Sequence, residues 1–532
     1  MKRADFLYIL LVVLVLAIGT LVRVSHYPHI PPGFNQDEAA SAYESLSLAE
    51  TGMDKWGNVL PAYFPGWGSG QNVLLAYLSV PVIKLFGMNV FTARLVPLAL
   101  GLLALPLLFF CLRPLGRYAA LLATFLLAVV PWHFMLSRWA LESNLVPFFM
   151  LLGCTTVSRA FITGRRRWII PSLIPFGLCL YAYGTTVLVL PGLLGIIAVL
   201  GFAQIRARWQ SWLLALGLLG VVAAPFALFF IENYVVQRNL DWTDVLFFST
   251  PLLPSTRMSQ VAGGSWLDTA QLNMDFLLNG FDDGTSYNVL PGIKPLFDFV
   301  VPLAVIGLLL GLWKLVQRRG QAFASPQGIV VAIFAAWAVA SLSLFFSFGL
   351  NVNRFNHAYL PCIVLAAWAV ATITSRIRPV VLMQASRWGA VAVVAVAGGL
   401  AINDYFTSYR DSRIITDFND GLGDAFKAAE NLWGVEQVRI TPSMPLPYVY
   451  TLFYLNYPPA QFQREAKVTV ENGNYSVKRF GKYVFADEEL NQSQSYGYLA
   501  RRNEQPEVAG RKRLVLFTND TWEVGLMNVV AK

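Results

Sequence analysis

Charged residues are scarce in this chain. Asp, Glu, Lys and Arg make up 13% of its 532 residues, 56% are hydrophobic, and the mean hydropathy is +0.53. A soluble globular protein carries about a quarter charged residues, so that class is excluded. Cysteine is nearly absent too. Cys111, Cys154, Cys179 and Cys362 fall within or at the edges of apolar runs, so they read as small buried hydrophobes and no disulfide framework supports residues 407–532. Histidine is limited to four residues, and neither His nor Cys forms a cluster. No cofactor is therefore indicated, and a divalent metal has no evident ligand set. Internal repeats and low-complexity tracts are lacking, and charge is lacking from the middle of the apolar runs, which argues against a transporter.

What the chain has is long apolar runs. A spanning helix needs about 20 mostly apolar residues, and eleven stretches qualify: 5–23, 91–112, 118–136, 140–158, 168–183, 185–203, 211–231, 297–316, 327–349, 356–375 and 388–406. The run from Asn72 to Gly87 contains Pro81 and Lys84 and is short for a span, so it reads as an interfacial or re-entrant helix. The expected fold is an all-α polytopic membrane domain with about eleven transmembrane helices.

The basic residues orient these spans. Lys2 and Arg3; Arg113 and Arg117; Arg159 and Arg165–Arg167; Arg206 and Arg208; Lys314, Arg318 and Arg319; and Arg376, Arg378 and Arg387 all fall on one side, with Asp5 as their only acidic companion. The formal charge of +9 is thus an orientation signal and not a nucleic-acid footprint. The expectation is a multi-pass plasma-membrane protein with a cytoplasmic N-terminus. The first run has a basic start, but no small-residue cleavage site follows, so it reads as an uncleaved anchor.

Three segments on the other side are long enough for chemistry: residues 24–90, 232–296 and 407–532. The division expected is a membrane catalytic domain over 1–406 and an extracytoplasmic domain over 407–532. The latter mixes the helical pattern LGDAFKAAENLWG with strand-like EQVRITP, KVTVENG, GKYVFAD and RLVLFTN, which indicates a small α/β or α+β module.

The first outer segment contains NQDEAASAYESLSLAETGMDKWGNVLP, with Asp37 and Glu38 side by side. Asn35 is placed to cap a helix with Glu38 at its third position, a capping box, and Gly52 to stop it. A capped helix holds its first-turn carboxylates rigidly, so capping and catalysis are compatible.

This segment, with VVPWHFMLSRWALESN, YAYGTT, FDDGTSYNVLPG and NVNRFNHAYLP in the same order, resembles the dolichyl-phosphate-mannose protein mannosyltransferase-like glycosyltransferases of the GT-C superfamily. The resemblance covers roughly residues 1–406. It implies a GT-C membrane domain, a polyprenyl-phosphate-linked sugar donor, and an active site that includes Asp37 and Glu38. The acceptor range it implies spans envelope glycans, lipids and proteins.

Inverting transfer from a lipid phosphate needs one base to take the acceptor proton. It also needs cations for the phosphate, which leaves without an acid. Asp37 is the expected base, with Glu38 orienting it or the acceptor. Arg94, Arg138, Arg354 and His357 fall at outer ends of spans, placed either for the donor phosphate or for interfacial snorkelling. Asp54 and Glu142 are supporting candidates; Glu142 follows Arg138 by one helical turn in SRWALE, placed either to pair with it or to serve the site. Asp282 and Asp283 read as turn residues. Trp67, Trp132 and Trp139 read as interfacial anchors, with stacking on sugar or prenyl chain as the alternative. A glycan polymerase, ligase or oligosaccharide transferase of the same architecture is the rival function.

Overall fold

The computed structural model describes residues 3–66, 70–240, 242, 246–253, 265–317, 322–471, 474–485, 490, 494–504 and 511–529. Trp67 lies outside them. The described residues form two compact units, one of residues 1–27, 97–224 and 259–409, the other of 28–96, 225–258 and 410–532. The sequence division at residue 406 differs from this one, which puts the first outer segment in the same unit as the C-terminal residues.

The first unit is helical. Among the described residues, eight helices of the chain are long and apolar enough to cross a membrane, including α1 (Arg3–Val24) and the helices Pro326–Phe345, Asn356–Thr374 and Val380–Phe406. Three expected spans are shorter: 185–203 forms the 15-residue helix Thr186–Leu200, which stops at Gly201, and proline divides the other two. The run 118–136 is cut by Pro131, and 168–183 by Pro171 and Pro175, each of which starts a new short helix because its ring suits only a first turn.

The second unit has a mixed sheet. Its strands are β1 (Val438–Ile440), β2 (Lys467–Glu471), β3 (Asn474–Phe480), β4 (Tyr483–Val484), β5 (Tyr496–Arg501), β6 (Arg511–Thr518) and β7 (Trp522–Val529). They run in the order β2-β3-β4-β1-β5-β7-β6, with β1 parallel to β4 and β5 and the other pairs antiparallel. The expected α/β or α+β character is present.

A shared core explains the grouping of this unit. Phe34, Tyr43 and Ile83 of the first outer segment are buried with Leu422, Phe426, Phe453 and Trp522. Phe34 stacks on Phe453 at 4.3 Å between ring centroids, and the Tyr43 hydroxyl donates to the carbonyl of Tyr457 at 2.9 Å. Here α2 (Gln36–Thr51) packs through Ala39, Ala40 and Tyr43. The apolar run near residue 80 is α3 (Leu74–Phe86), 13 residues long and too short to span.

Candidate active site

The second unit builds the Asp37–Glu38 region from the chain that enters α2. The Asn35 side chain accepts from the Asp37 backbone N–H at 2.9 Å, and the Asn35 N–H donates to Glu38 Oε2 at 3.1 Å, completing the capping box. Gly52 ends the helix in the left-handed region at φ 72°. Gly33 precedes it at φ +69°, where a Cβ would lie 2.2 Å from the Phe418 carbonyl oxygen, so only glycine fits.

Glu38 and Arg94 come together. Both are fully buried, and the carboxylate accepts Nε and Nη2 of Arg94, each at 2.8 Å, in a two-point pair. Arg94 lies in the second turn of α4 (Val90–Leu112), and its other N–H groups go to the carbonyls of Pro28 (2.7 Å), Pro31 (2.8 Å) and Gly33 (2.9 Å). All five donors are used, which leaves none for a phosphate. Arg94 holds Glu38 and the 28–33 strap in place. Asp37, next to this pair, is partly exposed. Burial, with Tyr454 and Asp37 adding to it, raises the Tyr450 phenol above its ordinary range, which puts the Asp37 charge near that ring.

Asp54 is committed to a turn. Its Oδ1 accepts the N–H of Trp56 (2.9 Å) and of Asn58 (2.8 Å), and Oδ2 accepts the Asn58 amide (2.7 Å). Burial and then the nearby Glu44 push its pKa up to about 7, against the opposing effects of Asn58 and Lys55. Beside it lies a buried ion pair that was not among the expected site residues. Lys55 Nζ donates to Glu44 Oε1, and the Lys55 backbone N–H to Glu44 Oε2 at 2.9 Å. The signal was faint: two charges 11 positions apart, one inside a helix and one in a turn.

In the first unit, Arg138 is fully buried and holds the end of α1. Nη1 donates to the carbonyls of Val22 (2.9 Å) and Arg23 (2.6 Å), Nη2 to that of Ser25 (2.7 Å), and Nε to the Tyr405 hydroxyl (3.0 Å). A helix C-terminus offers unsatisfied carbonyls and partial negative charge, so a guanidinium fits there. These bonds tie the end of α1 to Arg138. The helix before Arg138 ends at Leu136, and Glu142 opens a separate short turn, so the two are not one helical turn apart.

Arg354 differs. It is partly exposed, and among the described residues its guanidinium gives one hydrogen bond, Nη1 to the Gly349 carbonyl at 2.7 Å, and lies 5.7 Å from the Phe348 ring. His357 is fully buried in the first turn of Asn356–Thr374, with Nε2 3.2 Å from Thr186 Oγ1. Asp282 and Asp283 make the expected turn; each carboxylate accepts a backbone N–H two residues on, and Asp283 also accepts the Val352 N–H at 2.9 Å. Trp132 and Trp139 are buried, and Trp132 donates to Asn356 Oδ1 at 2.7 Å, so both are packing residues in this structure. Among the described residues no group of three or more His, Cys, Asp or Glu is placed to hold a metal.

Comparison with known proteins adds a likeness of fold. A family model described as dolichyl-phosphate-mannose-protein mannosyltransferase matches residues 71–230. The crystal structure of ArnT from Cupriavidus metallidurans bound to undecaprenyl phosphate aligns over 99% of this chain and 98% of its own, with a TM-score of 0.55 and 14% identity. The chain shares the fold of that protein. An oligosaccharyltransferase from Archaeoglobus fulgidus, in complex with Zn and sulfate, has a similar fold over 84% of this chain and 61% of its own, at a TM-score of 0.51 and 14% identity. No curated protein matches by sequence. With eight helices among the described residues long and apolar enough to cross a membrane, the chain is a multi-pass membrane protein.

Proposed function

We propose that this protein transfers a sugar from a polyprenyl-phosphate carrier to a hydroxyl of an envelope glycan, lipid or protein, on the extracytoplasmic face and with inversion. The acceptor oxygen attacks the anomeric carbon and the bond to the phosphate oxygen breaks. Asp37 takes the acceptor proton, and the lipid phosphate leaves as an anion. A glycosidase needs a second carboxyl to protonate a poor leaving group; a phosphate does not.

The observation that carries this assignment is the division of labour in the carboxylate pair. Glu38 is fully buried and bound to Arg94 and the Asn35 cap, while Asp37, one residue earlier on the same rigid turn, reaches partial exposure. Arg354 is the proposed phosphate contact because its fork is partly exposed and one carbonyl occupies it among the described residues. Arg94, Arg138 and His357 position the fold. The family match to a mannosyltransferase and the undecaprenyl phosphate bound by ArnT support the donor class. Mass spectrometry of envelope glycolipids and glycoproteins from cells with and without the gene tests the reading. A sugar-bearing species lost with the gene and restored by it is expected; unchanged envelope glycans contradict it.

A further inference from the structure

The first unit holds a second feature that sugar transfer does not use. A groove of about 340 Å³ lies between α1, the helix α5 (Arg117–Val129) and the helix Val380–Phe406. Its depth is apolar, lined by Leu14, Ile18, Phe125 and Val391, and its rim carries Arg117 and Arg387. Both arginines are fixed by aromatic rings. The Arg117 guanidinium lies 4.9 Å from the Tyr8 ring, and that of Arg387 lies 4.9 Å from the Tyr118 ring, whose hydroxyl donates to the Arg387 carbonyl at 3.0 Å. Asp5 pairs with Arg117 Nη2 at 2.7 Å in an exposed contact, and Arg387 Nε donates to Thr374 Oγ1 at 3.4 Å. The rim therefore keeps a net positive charge, and Arg113 adds to it near Tyr8.

We infer that this groove is a binding site for an anionic diacyl phospholipid, whose phosphate meets Arg117 and Arg387 while one acyl chain lies in the groove. Three observations carry it. Charge sits at one end only, on Arg117 and Arg387 with Asp5 beside them, and past Gln384 and the tyrosine hydroxyls at that end the lining is apolar. The apolar lining along α1, from Tyr8 to Ile18, rises about 15 Å, half the roughly 30 Å hydrocarbon core. One leaflet's acyl chain has that reach; the far longer tail of a polyprenyl phosphate does not end within it. Planar guanidinium forks braced by rings offer several N–H groups to phosphate oxygens, and basic pockets between spanning helices attract anionic head groups. The leaflet is the one facing the basic loops.

Native mass spectrometry of the full-length protein, stripped of lipid and titrated with phosphatidylglycerol or with phosphatidylcholine of the same acyl chains, tests this. Phosphatidylglycerol is expected to bind roughly tenfold or more tightly. The variant carrying Arg117→Gln and Arg387→Gln should lose that preference while keeping its melting temperature. Leu14→Trp, at an exposed groove-lining position, keeps every charge but blocks the tail, and it should weaken phosphatidylglycerol binding as well. Equal binding of the two lipids overturns the inference. So does a preference that survives the double arginine variant, unaltered binding by Leu14→Trp, or tighter competition by undecaprenyl phosphate for the same site.

Discussion

Replacing Glu38 by Gln separates the structural carboxylate from the chemical one. The change keeps shape but removes the charge that balances the fully buried Arg94. Leaving one member of a buried pair uncompensated costs about 3–5 kcal/mol. Arg94→Met should cost more. It strands the Glu38 charge and also orphans the carbonyls of Pro28, Pro31 and Gly33, each of which loses a bond at roughly 1–3 kcal/mol when no water replaces it. The order expected is therefore Arg94→Met worse than Glu38→Gln, with Asp37→Asn near wild type because Asp37 is partly exposed. Thermal unfolding of the purified variants in one detergent, followed by tryptophan fluorescence, gives that order directly. A Glu38→Gln protein that melts with wild type, or an Arg94→Met protein more stable than it, would show that the pair does not hold the strap and would remove the reason for assigning Asp37 the chemistry.

Other outcomes follow from the same geometry. Arg354→Lys keeps the charge and loses the fork, so affinity for a polyprenyl-phosphate sugar in a binding titration should fall with no loss of melting temperature; unchanged affinity returns Arg354 to loop packing. Arg138→Gln should lower the melting temperature, because it deprives the end of α1 of its cation and leaves carbonyls of Val22, Arg23 and Ser25 unmet; a neutral result contradicts the capping role. Asp54 has a pKa raised from 3.8 to about 7, so the folded state holds its proton more tightly than the unfolded chain does. Its stabilising contribution is full below about pH 4 and is lost as pH rises to about 7, a few kcal/mol at most. Asp54→Asn should flatten the melting-temperature profile over that interval, and a profile identical to wild type refutes the assignment.

Much of this architecture was legible in the sequence because its causes are local. Asn35, Glu38 and Gly52 mark the two ends of α2 by capping chemistry alone, and the structure has the helix between them. Long apolar runs marked the spanning helices, but hydropathy is blind to where proline divides a run, so the stretches around Pro131, Pro171 and Pro175 read as longer helices than they form. The arginines were the least legible. Arg94 and Arg138 stand at ends of apolar segments where a lipid phosphate would be met, yet their partners are largely backbone carbonyls, 61 to 66 residues away for Arg94 and 113 to 116 for Arg138. A carbonyl has no letter in a sequence. The grouping of residues 28–96 with the C-terminal segment was hidden for a related reason, since the alanines and aromatics of α2 show an apolar face without naming what covers it.

The central claim is that Asp37 is the general base of sugar transfer while Glu38 serves the fold. Turnover of the purified Asp37→Asn variant with a polyprenyl-phosphate sugar and its acceptor, measured beside donor affinity, tests it most directly. The account predicts a fall in turnover of roughly 10² to 10⁴-fold with donor affinity retained. Near-normal turnover from Asp37→Asn would contradict it, leaving Asp37 a first-turn residue of a capped helix.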